Sequence, residues 1–240
     1  MSKQNDNMFN SVAWETYKNQ DKGIENTFGP ELESDKIVVH NTPPEELRNS
    51  NQILLKLNID KSGSMGGFTN AMVDALGRVK QSIIESQQCS KIQISKTLFA
   101  ETIEPEGFED VEAFNTSYST NSGLTKLFDS IIDSSRRIEQ YIEDCQKKGV
   151  TAEAVLCILS DGADNDSVAS FEETRECVSR MVENGVTVCF IAFGSDDSEN
   201  VAKQLGIENV VRTNATIHEL HQIMNFVSIG TIEKSKGNKG

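Results

Sequence analysis

Two hydrophobic patterns alternate along most of this chain. Strand-length apolar runs occupy residues 52–60, 91–100, 154–159, 186–193 and 209–211, with a short companion at 102–104. Between them, apolar side chains recur at helical spacing over 68–87, 124–148, 168–184, 197–205 and 216–227. The first helical segment shows the pattern clearly, at Phe68, Met72, Ala75, Leu76, Val79 and Ile83, with Thr69 or Asn70 placed to cap its start. The runs at 154–159 and 186–193 are apolar throughout, so they predict strands buried on both faces. Strands alternating with helices predict an α/β fold: a doubly wound, mostly parallel, Rossmann-like sheet with helices on both faces.

The ends of the chain behave differently. Residues 1–51 collect Asn, Gln, Asp, Glu, Lys and Pro around isolated aromatics, and predict an extension with one short strand at 36–40 and a turn at Asn41 to Pro44. Trp14 within it is expected to pack back onto the main domain. The domain proper is expected over 52–229, and 230–240 reads as a flexible polar tail.

Composition narrows the possible partners. With 23 Lys+Arg against 37 Asp+Glu the formal charge is −14, so the average surface repels a nucleic-acid backbone. No apolar stretch approaches membrane-spanning length, and no basic leader with an apolar core is present, so the expectation is a soluble, cytoplasmic protein without a membrane partner. The cysteines, Cys89, Cys145, Cys157, Cys177 and Cys189, are odd in number and form no C-x-x-C pair, which suits reduced core residues.

Chemistry concentrates where strands end. The run over 53–59 stops at Asp60, followed by Ser62, Ser64 and the glycine pair Gly66 and Gly67, which are expected to let the backbone close over an ion. Three small oxygen-bearing side chains at alternate positions suit a hard divalent cation but are too few to complete its shell. The run over 154–159 stops in the same way, at Ser160, Asp161 and Gly162. Parallel sheets carry their sites outside the carboxyl ends of strands, which brings Asp161 within reach of the first cluster. The helix start at Gly123, Leu124 and Thr125 can supply a further hydroxyl. Asp164 and Asp166 extend an acidic rim and read as a solvated loop, and His218 and His221 as surface or half-buried helix residues.

The segments DKSGS (60–64), GLTKLFDSI (123–131) and LSDG (159–162) resemble the von Willebrand factor type A domains and their metal-ion-dependent adhesion site. That resemblance spans about residues 52–227 and implies the following ligand set. Ser62 and Ser64 would ligate the metal directly, Asp60 and Asp161 through water, and Thr125 in either way. An all-oxygen set points to Mg²⁺, with Mn²⁺ or Ca²⁺ as substitutes. The open position would take an Asp or Glu from a partner protein. The chain is then expected to be a metal-dependent adaptor or regulatory subunit and not an enzyme, of an intracellular type that works beside an ATPase, kinase or phosphatase. A scaffold whose metal only stabilises loops, and a metal-dependent hydrolase, are the alternatives.

Overall fold

The computed structural model describes residues 51–121, 123–162, 164–194, 196–213 and 216–237. The extension over 1–50, with its expected strand and Trp14, lies outside the described residues. The strands are β1 (Asn51–Asp60), β2 (Ile92–Phe99), β3 (Ile103–Pro105), β4 (Glu109–Asp110), β5 (Thr151–Ser160), β6 (Thr187–Phe193) and β7 (Asn209–Thr213). The helices are α1 (Thr69–Glu85), α2 (Leu127–Lys147), α3 (Phe171–Glu183), α4 (Asp196–Gln204) and α5 (Ile217–Gly237).

The sheet order is β3-β2-β1-β5-β6-β7. The pairs β1/β2, β1/β5, β5/β6 and β6/β7 are parallel, and only β3 and β4 run antiparallel, both against β2. The expected doubly wound α/β sheet is therefore the observed one, with the short strand β4 added against β2. The strand order reverses at β1, since β2 lies to one side and β5 to the other. This switch opens a crevice at the carboxyl ends of β1 and β5.

Each face of the sheet has its own core. Ile53, Leu55, Leu57 and Ile59 of β1 pack with α1 and α5, while Leu54 joins the core built on α2, α3 and α4. Because side chains alternate across a strand, Lys56, Asn58 and Asp60 share the α2 side with Leu54. All three are fully buried.

Two features depart from the sequence reading. At α1, Thr69 does not cap the start; its hydroxyl donates to Gly66 O at 3.1 Å, and the helix is entered through a 3-10 turn over Gly63–Phe68. At the other end, α5 runs to Gly237, through residues expected to form a polar tail. Thr231, Ile232 and Ser235 are buried there. The hydroxyls of Ser228, Thr231 and Ser235 turn back onto the carbonyls of Met224, Val227 and Ile232, which lets small polar residues occupy a packed helix face. No helix among the described residues is long and apolar enough to cross a membrane.

Candidate metal centre

The candidate residues lie at the end of β1 and on the segments that follow β1 and β5 and precede α2. Asp60 closes β1 and Asp161 directly follows β5, and the two strands run side by side in register up to Ile59 and Leu159. Asp60 is fully buried. Its Oδ1 accepts from the Ser62 N–H at 2.8 Å, and its Oδ2 from the Ser160 hydroxyl at 2.7 Å. Among the described residues no lysine or arginine pairs with this carboxylate. Lys61, its chain neighbour, instead sends its ammonium to Glu104 Oε1 at 2.6 Å. Burial pushes the Asp60 carboxyl above its usual range, Asp161's charge adds to that, and the hydrogen bonds from Ser62 and Ser160 oppose it.

The Ser62 and Ser64 hydroxyl oxygens lie 3.1 Å apart on the 3-10 turn, so the alternation read from the sequence does bring them together. Gly66 and Gly67 are not among the residues with left-handed φ, so the turn closes without glycine's extra freedom. Tyr118 braces the site from below, donating its phenol to the Asp60 carbonyl at 2.7 Å. Burial, and then the charges of Asp60 and Asp161, raise that phenol's pKa, which keeps it a proton donor. Asn121 N bonds to the Lys61 carbonyl at 2.7 Å, tying the loop that carries Tyr118 to the turn.

Thr125 is buried, on a loop stitched to the segment that follows Asp161. Its N–H donates to Asn165 Oδ1 at 2.7 Å, and its carbonyl accepts from the Asn165 and Asp166 N–H groups. Asp164, expected to be a solvated rim residue, accepts from Phe128 N at 3.2 Å and from the Ser167 hydroxyl at 2.6 Å. It therefore helps satisfy the open N–H groups of α2. Asp129 returns the contact, its carboxylate accepting from Val168 N and Ala169 N at 3.0 and 2.8 Å. Asp166 sits 3.6 Å from Lys126. These acids pin two loops together.

Gly162 supports the same crevice. Its φ is +82°, and a Cβ there would stand 2.4 Å from the Ser198 backbone on α4. Only glycine lets the chain leave β5 at this point.

The donor set fits a small hard cation. It offers hydroxyl and carboxylate oxygens, around a buried carboxylate with no cationic side chain against it among the described residues. Among the described residues, no three His, Cys, Asp or Glu side chains gather as a metal-holding group, so any cation held here would depend on the serine and threonine hydroxyls. Sequence reasoning missed Tyr118, Ser160, Asn165 and Asp129. Ser160 was within reach of it as the neighbour of Asp161, while Tyr118 lies in an Asn- and Ser-rich loop with no periodicity to single it out.

No family model and no curated protein matches the chain. Solved structures do. The pilus adhesin SpaC from Lactobacillus rhamnosus GG, in its open conformation, aligns over 78% of this chain and 31% of its own, with a TM-score of 0.62 at 11% identity. The PilB minor pilin from Streptococcus sanguinis aligns over 80% and 64%, with a TM-score of 0.60 at 10% identity. The manganese-loaded TRAP protein of Plasmodium vivax aligns over 74% of each chain, with a TM-score of 0.50 at 15% identity. The fold is von Willebrand A-like. At these identities the likeness concerns architecture alone, and this chain spans about a third of the adhesin's length.

Proposed function

We propose that the chain is a metal-dependent protein-binding module in which Asp60, Ser62, Ser64, Thr125 and Asp161 hold a divalent cation, Mg²⁺ by preference. The observation that carries this reading is the buried Asp60 carboxylate, held by neutral donors and facing a hydroxyl pair, with no cationic side chain of the described residues against it. A carboxylate so placed is stabilised by a cation, and the manganese-loaded neighbour supports a divalent ion in this type of fold. When bound, the cation supplies positive charge and an open coordination position for a partner's Asp or Glu. The chain's own residues do the rest. Ser160 and the Ser62 N–H orient Asp60, Tyr118 fixes the carbonyl at its base, and the Asn165 staple holds Thr125 in place. The role is that of an adaptor or regulatory subunit without catalysis of its own.

Calorimetric titration of the purified chain with MgCl₂ and MnCl₂ tests the site. Saturable binding by the parent is expected, lost in Asp60→Asn and Ser62→Ala. Binding of equal strength by those variants would sink the assignment.

A further inference from the structure

A polar seam runs away from the proposed metal centre, between the sheet and α2. On the α2 side of β1, Lys56, Asn58 and Asp60 follow one another, and all three are fully buried. Thr97 of β2 is the register partner of Asn58 and is fully buried too. It faces the same side because its alternate neighbours do: Ser95 accepts from Lys56, and Phe99 belongs to the core under α2. From the helix, Ser130 and Ser134 stand one turn apart on one face, both fully buried.

Three polar atoms of this seam have no protein partner among the described residues: Asn58 Oδ1, Thr97 Oγ1 and Ser134 Oγ. Turning the Asn58 amide over does not mend the first. The Ser130 hydroxyl donates to the Leu127 carbonyl at 2.7 Å, so towards Asn58 it can only accept, and Asn58 Nδ2 lies 3.0 Å from it. The amide nitrogen therefore faces Ser130, and the oxygen is turned elsewhere in the seam. Ser134 lies one turn further along α2, in the direction of Lys56: Asp133 and Arg137, to either side of Ser134, both act on the Lys56 charge. Native interiors pair such buried groups, and three left bare side by side would be costly.

The spare donors and acceptors select the ligand. Asn58 Oδ1 needs a donor, while the Thr97 and Ser134 hydroxyls each bring a proton that needs an acceptor. A monovalent cation accepts no hydrogen bond, and protonated Lys56 on the same strand face repels it. Water both donates and accepts, and a buried water makes about three hydrogen bonds. We propose that the seam between β1, β2 and α2 is a binding site for a buried water held by Asn58 Oδ1, Thr97 Oγ1 and Ser134 Oγ. The water donates to the amide oxygen, accepts from the hydroxyls, and joins α2 to both strands two residues before Asp60.

Oxygen-17 water relaxation dispersion on the full chain counts long-lived internal waters, and urea unfolding reads stability, for the parent, Thr97→Val and Ser134→Ala. Each substitution removes one partner with little change of volume, and the two stand in different elements, so one that fails to fold leaves the other to decide. Either variant is expected to shed about one long-lived water and to unfold at lower urea than the parent, because the remaining partners are left bare. A dry seam gives the opposite sign, since a methyl group in place of an unpartnered hydroxyl raises the urea midpoint. An unchanged water count or a raised midpoint would overturn the proposal. Crystals soaked in RbCl test the other occupant. Density about 2.7–3.2 Å from the three atoms, with no anomalous signal, is expected. Anomalous scattering there would assign the seam to a monovalent cation and overturn the water.

Discussion

Lys56 is the residue whose surroundings say most about how the sheet tolerates charge. It lies in the middle of β1, fully buried, with its ammonium 2.7 Å from the Ser95 hydroxyl and 5.9 Å from the centre of the Phe108 ring. Burial, reinforced by Arg137 and opposed by Asp133 and Glu106, pushes its pKa down to about 7. In the unfolded chain a lysine titrates near 10.4. Between those values the unfolded state holds more protons, so this residue makes stability rise as pH climbs from about 7 towards 10, and the penalty for burying its charge is complete below 7. Lys56→Met should therefore be more stable than the parent at pH 6, by on the order of a few kcal/mol, with the advantage shrinking by pH 9.5. Urea unfolding at the two pH values measures this, and an advantage that grows with pH would refute it. In the sequence, Lys56 stands inside an apolar run, so its burial is legible, whereas its neutralisation depends on neighbours contributed by β2 and α2. Lys96 illustrates the point on the other face: it too is buried, but it reaches the carbonyls of Asn115 and Ser117 at 2.7 and 2.9 Å.

At the scale of elements, helix ends were less legible than strand ends. Apolar runs stop abruptly at Asp60 and Ser160, and these two polar side chains stay buried by hydrogen-bonding to each other at the strand ends. Helix α5 shows the opposite. Its last turns carry few apolar residues, yet they are buried through hydroxyls that bond to the helix's own carbonyls. The Ser235 hydroxyl extends this packing by donating to Gln88 Oε1 at 3.4 Å, while Lys234 reaches Glu153 at 3.5 Å. Ending the chain after Ile229 removes the buried Ile232 along with these contacts, and should lower unfolding free energy by on the order of 2 kcal/mol in urea titration. A true tail would leave the midpoint unchanged. The start of α2 teaches a similar lesson. Its open N–H groups are met by Asp164 and Ser167, which lie about forty positions further along the chain and so escape any local capping pattern.

For the whole molecule, the fold brings the ends of β1 and β5 and the approach to α2 to one edge, so cation binding there should stabilise the folded chain as a unit. At a magnesium concentration about a hundredfold above Kd, the linkage contributes ~2.7 kcal/mol, a rise in Tm on the order of 5–10 °C for a domain of this size. Differential scanning calorimetry in MgCl₂ against EDTA should show that rise in the parent and lose it in Ser62→Ala; equal Tm values in the parent would contradict it. The alternation of strand and helix, and the acidic or hydroxyl residues at two strand ends, were determined by the sequence itself, because periodicity of burial and abrupt changes of polarity are local properties. Only the tertiary structure decided that Asp60 has no cationic partner among the described residues while Lys61 turns to Glu104, and that Asp164 caps a helix instead of lining a rim. It also decided that Leu124 and Val168 stand exposed on pinned loops. Each of these depends on which side chains meet across long stretches of chain, and a linear pattern does not carry that information.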